Sequence, residues 1–285
     1  MKETCGKALR NIKLLIEYEG TRYAGWQIQQ NLPTIQGIIQ EKIKIITGED
    51  IKPTASSRTD AGVHALGQVA NFCTESRIPP YSIQMGLNAL LPDDIVIKKA
   101  EEAPLDFDSR QNAKAKTYRY LILNRSYPSA IYRNFSWHVF QKLDIDAMTK
   151  AAGYLIGKKD FTSFRAAECD APHSIREILS FSIETSWPLH THSPSPFSPP
   201  IKGGESPYIT FPFAGEGQGE GLMLLEVKGT AFLRHMVRIM VGTLVAIGKG
   251  KIAVNDFESI IEAKDRRLAG MTAPPEGLFL KEVEY

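Results

Sequence analysis

The apolar residues of this chain switch spacing repeatedly, from every second position to every third or fourth and back, and this restricts the fold more than any other feature. Residues 11–18 alternate, with Ile12, Leu14, Ile16 and Tyr18 facing one way, as in the first strand of a half-buried sheet. Thr34 then caps a helix in which Ile35, Ile38, Ile39, Ile43 and Ile46 recur at helical spacing up to Gly48. Extended segments are expected at 51–55, 67–72, 95–98, 116–123, 175–184, 222–228 and 279–283. Helices are expected at 81–90, 144–155 with Asp144 as cap, 231–247 and 255–262. The two patterns interleave irregularly and carry no glycine-rich nucleotide fingerprint, which predicts an α+β fold with a largely antiparallel central sheet and helices on its outer side. Two α/β halves of similar size, 8–110 and 111–285, are expected to meet at a basic cleft.

One stretch breaks the pattern. From 187 to 221 the composition turns to Pro, Ser and Gly, which cannot build a packed core and reads as a mobile insertion joining two strands. Such a loop is tolerated because closure entropy grows slowly with length. Its Gly-x-Gly repeats lack both a Lys-Ser/Thr and a strand-to-helix setting, which excludes a phosphate loop. His190 and His192 have no companions to complete a metal site, and no metal or cofactor is expected. Residues 231–247 are too interrupted, by Arg234, His235 and Arg238, to span a membrane. Cys5, Cys73 and Cys169 are isolated, as packing residues in a reducing compartment are, and the first residues lack the apolar run of a signal peptide. A cytoplasmic location is expected.

Net charge is only +2, but its distribution is informative. Between Asp108 and Asp144 no acidic residue occurs, while Arg110, Lys114, Lys116, Arg119, Arg125, Arg133 and Lys142 interleave with Tyr118, Tyr120, Tyr127, Tyr132, Phe135 and Trp137. Cations for phosphates beside aromatic faces for unpaired bases are what RNA recognition uses, although strand-core aromatics with a solvated cationic face look the same.

Reactive side chains concentrate in Ser56-Ser-Arg-Thr-Asp-Ala-Gly-Val-His-Ala-Leu-Gly-Gln68, where Arg58, Asp60 and His64 fall on a connection between two strands, with Gly62 free to turn tightly. Taken alone, Arg-Thr-Asp before Ala-Gly is also an ordinary Asx-turn. Over nearly every position, however, the stretch resembles the catalytic loop Gly-Arg-Thr-Asp-x-Gly-Val-His-Ala of the TruA-type tRNA pseudouridine synthases. Tyr23-Ala-Gly-Trp-Gln27, the Phe107, Ser109 and Arg110 set, Lys116-Thr-Tyr-Arg-Tyr120, Lys159-Asp-Phe-Thr-Ser-Phe164, Gly229 to Gly242 and Thr272 to Leu280 extend that resemblance. It covers almost everything except the first eight residues and the insertion.

The resemblance implies a pseudouridine synthase fold and an isomerase that detaches uracil from its ribose, turns it and rejoins it through C5, in the anticodon stem-loop of tRNA at positions 38 to 40. It implies that Asp60 is the catalytic aspartate, that Arg58 helps displace the base, that Tyr118 contacts the target uridine, and that a second basic residue pairs with the aspartate. It also implies a homodimer sharing the RNA. A carboxylate suits such chemistry: it can attack ribose C1′ or uracil C6, or take a ribose proton, and no redox step is needed. A carboxylate withdrawn from water needs a cation close by. Arg238 is the candidate, with Arg234 one turn before it on the same helical face as a phosphate or surface contact. Arg110, Lys114, Lys116 and Arg119 are candidate RNA contacts, as are Gln27 and Gln29, while Trp26 reads as core. Ser57 stands where the family has glycine, and a backbone with positive φ there would cost serine about 1 kcal/mol. A non-catalytic tRNA-binding protein or RNA chaperone is the alternative from another class; a nucleosidase is disfavoured because no second acid adjoins Asp60.

Overall fold

A computed structural model describes residues 9–169, 171–185 and 221–285. Among these residues ten strands form one sheet. In chain order these are β1 (Arg10–Tyr18), β2 (Thr54–Ala55), β3 (His64–Thr74), β4 (Ile95–Ala103), β5 (Ala115–Asn124), β6 (Trp137–Val139), β7 (Gly157–Asp160), β8 (Ile175–Thr185), β9 (Gly221–Gly229) and β10 (Leu278–Glu284). Five helices accompany them among the described residues: α1 (Ile35–Thr47), α2 (Pro80–Leu90), α3 (Ile145–Gly153), α4 (Met236–Gly248) and α5 (Asp256–Glu262). The fold is α+β, as the spacing predicts.

The main sheet runs β4-β1-β3-β10-β5-β9-β8-β7, with β2 on β3 and β6 on β5. Its pairs are antiparallel except β3 with β10 and β5 with β6. The final strand thus lies in the middle, its Phe279 and Leu280 beside His64 and Ala65 of β3 and its other edge on β5. This central placement brings strands from both parts of the sequence, and the segment leading into β10, to the same place.

Local chemistry explains the elements. Along β1, Ile12, Leu14, Ile16 and Tyr18 are buried while Lys13, Leu15 and Glu17 are less so, the period of a sheet with one covered face. The Thr34 hydroxyl accepts from Gly37 N, and Gly48 closes α1 in the left-handed region with its N–H on Lys44 O. Asp144 caps α3 by accepting from Ala147 N at 2.9 Å. Helix α4 is buried nearly all round, so its high apolarity belongs to a core helix. Among the described residues no helix is long and apolar enough to cross a membrane.

Some boundaries differ from expectation. Strand β4 runs on to Ala103, β3 begins at His64, and the turn expected at 157–164 contains β7 followed by a short 3-10 turn. Cys73, expected to pack, is exposed on β3. The insertion with His190 and His192, and the tail with Cys5, lie outside the described residues; β8 and β9 on either side of the insertion pair antiparallel.

Candidate active site

The segment from Ser56 to Val63 is held by its neighbours on every side. Ser56 N donates to Val69 O at 2.8 Å, the Ser56 hydroxyl donates to Gln68 Oε1 at 2.7 Å, and Gln68 Nε2 returns a bond to Ser57 O at 2.8 Å. The Tyr18 and Thr59 hydroxyls meet at 2.7 Å, and Trp26 N donates to Thr59 O. Val63 N then bonds Asp60 O, closing a turn in which Gly62 takes φ 78°. Two halves of one network therefore fix the backbone on either side of Asp60.

The Asp60 side chain is 24% exposed, and its Oδ2 lies 3.2 Å from Arg238 Nη1 and 3.5 Å from His235 Nε2. Arg238, in the first turn of α4, is aimed by a second bond from its Nε to Ala273 O at 2.8 Å, while Ala273 N donates back to Arg238 O at 3.0 Å. A guanidinium bound at two edges has little freedom left to lose when it holds a carboxylate. Its positive charge offsets the hydration that the recessed Asp60 gives up.

Helix α4 starts at Met236, five residues later than expected, because His235 is left-handed at φ 61° and residues 230–235 are irregular. Met236 N bonds Leu233 O and Leu233 N donates to Met236 Sδ, a local turn that takes the place of another helical turn. Arg234 consequently does not share a helical face with Arg238: it reaches Glu168, whose Oε2 is 3.2 Å from its Nη1. The same break turns His235 toward Asp60, a neighbour that spacing gave no reason to single out. Burial lowers the His235 pKa, with Arg238, Arg234 and Arg266 adding to the effect and Asp60 opposing it, so its imidazole is neutral near pH 7.

Tyr118, on β5, is buried, with its ring edge-on to Phe232 at 5.1 Å and its hydroxyl 2.8 Å from the Ser57 hydroxyl. Burial pushes the phenol up to about 12, Asp60 adds to this, and the bond from Ser57 works against it. The expected strain at Ser57 is not present: among the described residues only Asn31, His235 and Lys264 have positive φ without being glycine. Ser57 uses an ordinary backbone and puts its side chain to work on Tyr118.

These residues line a cavity of about 1320 Å³, larger than the roughly 300–1,000 Å³ typical of pockets for small ligands. Among the described residues, Lys52, Arg58, Arg110, Lys116, Arg176, Arg234 and Arg238 face it, against the carboxylates of Asp60 and Glu168. Such a basic groove suits a polyanion. Arg58 is exposed on this wall, and Gln27 and Gln29 line it as well. Trp26 is 1% exposed, as core. Half-buried Lys116 donates to Ser56 O, and burial, with Arg110 adding to it, pulls its pKa down to about 8.

Other candidates fall elsewhere. Strand alternation turns Arg119 to the face opposite Lys116 and Tyr118, where it bonds Glu226 at 2.7 Å beside Lys281, and it does not line the cavity. Lys114 is exposed just before β5, also away from the lining. His64, expected on the connection, is buried as the first residue of β3. Its Nδ1 accepts from Gly20 N at 3.0 Å, which leaves Nε2 to donate to Glu276 O, and its ring stacks on Phe279. It braces the loop from behind.

Comparison with known proteins finds relatives along nearly the whole chain. A family profile described as tRNA pseudouridine synthase matches residues 14–111 and 151–285. A protein of Acetivibrio thermocellus named tRNA pseudouridine synthase A is 45% identical over 277 residues, covering 97% of this chain and all of the relative. Proteins of the same name from Ruminiclostridium cellulolyticum, 42% identical over 97% of this chain and all of the relative, and Myxococcus xanthus, 40% identical over 96% and 91%, are also similar.

Proposed function

Since the chain belongs to the tRNA pseudouridine synthase family, we propose that it converts uridine to pseudouridine in the anticodon stem-loop of tRNA, with Asp60 as the catalytic residue. The observation that carries this reading is the Asp60 carboxylate paired with Arg238 at 3.2 Å inside a basic groove of polymer size. In the reaction the C1′–N1 bond breaks, the base turns, C1′ joins C5, and the C5 proton leaves while N1 gains one. The three routes open to a carboxylate, attack at C1′, attack at C6 or removal of a ribose proton, all use its ionised form. Arg238 stands beside the carboxylate as its counter-charge.

Swinging a uridine out of a stacked loop costs a few kcal/mol, and stacking on an aromatic ring returns roughly 1–3 kcal/mol. Tyr118, at the cleft wall, supplies that ring. Arg58 enters the space that the base vacates; it is exposed on the wall nearest Asp60 in sequence. Lys116, Arg110 and Arg234 meet phosphates along the groove. The reading includes a homodimer in the cytoplasm, each subunit offering one groove to the shared tRNA.

Nucleoside analysis of a tRNA transcript after incubation with the protein tests this reading. Pseudouridine at anticodon stem-loop positions, with no free uracil, is the expected product. Free uracil would indicate a nucleosidase, and tight binding without any new nucleoside would indicate an RNA-binding protein.

A further inference from the structure

The hydroxyl pair between Ser57 and Tyr118 joins the loop that carries Asp60 to the central strand β5. Among the described residues Val69 O, Gln68 and Tyr285 hold Ser56, and Gln68 Nε2 and Lys116 Nζ reach the carbonyls of Ser57 and Ser56. Among the described residues, the hydrogen bond of the Tyr118 hydroxyl is to the Ser57 hydroxyl. Tyr118, for its part, is buried in the groove wall with its ring T-shaped to Phe232, so its hydroxyl is the handle by which its tilt is set. With a glycine at position 57, as in the motif that this loop resembles, the phenol would have no such partner and the backbone would gain freedom.

We propose that Ser57 is a positioning residue, whose hydroxyl locks the Tyr118 phenol in register with the Asp60 carboxylate so that a swung-out uridine meets both in one orientation. This rests on the reading of the protein as a uridine isomerase. Ser57 acts through Tyr118 and touches no reacting atom. Whichever hydroxyl donates, the pair retains one O–H free, and when Ser57 donates, that O–H belongs to Tyr118 and is left for another acceptor.

Steady-state kinetics on one tRNA substrate test the proposal with four proteins besides the native chain: Ser57→Ala, Ser57→Thr, Tyr118→Phe and the Ser57→Ala/Tyr118→Phe double variant. Ser57→Ala is expected to lower kcat roughly three- to ten-fold, the size of one neutral hydrogen bond, with KM within about two-fold. Ser57→Thr restores kcat, and Ser57→Ala causes no further loss once Tyr118 lacks its hydroxyl, as coupled residues behave. Unchanged kcat in Ser57→Ala, or an equal loss in both backgrounds, overturns the proposal while leaving the isomerase reading intact. An inactive native chain overturns both. Matching thermal melts establish that the variants are folded; should Ser57→Ala fail to fold, Ser57→Gly, which restores the residue of the related loop, replaces it with the same expectations.

Discussion

Arg238 and Asp60 stand 178 residues apart in sequence and 3.2 Å apart in space. The guanidinium joins three pieces of chain: α4, from which it comes, the loop of Asp60, and the 272–274 segment whose Ala273 carbonyl takes its Nε. That last bond is available to arginine and not to lysine. Arg238→Lys is expected to keep the charge near Asp60 but lower kcat roughly ten-fold, and Arg238→Met to lower it by about a hundred-fold or more, since a partly buried carboxylate left alone costs several kcal/mol. Single-turnover rates on tRNA check both. A native rate for Arg238→Lys would mean that the second bond contributes nothing, and equal rates for the two variants that the retained charge contributes nothing.

Lys116 gives the groove a pH dependence. Its pKa of about 8 lies below the ordinary 10.5, so the free protein loses this charge near pH 8, and an RNA phosphate beside it would draw the proton back. RNA affinity is therefore expected to fall as pH rises from 7 to 9, and Lys116→Met to remove most of that fall and reduce the salt slope by about one. Fluorescence anisotropy with a labelled stem-loop measures both; a pH profile shared by the native chain and the variant would remove Lys116 from the interface.

Gly25 sits behind the Asp60 loop. It has φ 97°, and a Cβ there would come 2.5 Å from Thr59 O. Gly25→Ala is expected to lose about 1–3 kcal/mol of stability and to reduce kcat by pushing the loop toward the groove. Denaturant melts and kinetics together separate the two effects, and a variant with native kcat would show that the loop gives way harmlessly.

His235 links backbone strain to acid stability. Asn adopts positive φ more readily than branched residues, so His235→Asn is expected to fold normally while His235→Val loses about 1–3 kcal/mol. Because burial first, and then the neighbouring arginines, hold its folded pKa below 6.5, the unfolded chain binds the proton more readily. Its contribution is complete above pH 6.5 and fades as pH falls toward the lowered value; His64, also depressed by burial, adds to the same fall. Chemical denaturation from pH 7.5 to 5 should give a shallower pH slope for His235→Asn, and an identical slope would contradict the assignment.

The period-2 and helical spacings made β1 and α1 legible in the sequence, because each has one buried face, and the loop motif singled out Asp60. His235 was not, since nothing in Ala231-Phe-Leu-Arg-His235 opposes a helix; a local turn, with Met236 N on Leu233 O and Leu233 N on Met236 Sδ, stands there instead. The place of β10 between β3 and β5 was equally hidden, because parallel pairing of distant strands leaves no local mark. Arg119 shows the limit of charge counting. It belongs to the same basic run as Lys116, yet strand alternation sends it to Glu226 on the far face.

The central claim is that the Asp60 carboxylate does the chemistry and is dispensable for binding. Release of tritium from tRNA labelled at uracil C5 tests it most directly, comparing the native chain with Asp60→Asn at matched RNA occupancy. The expected result is release by the native chain and none above background by the variant, with RNA affinity changed no more than a few-fold. Release by Asp60→Asn at the native rate would contradict the account.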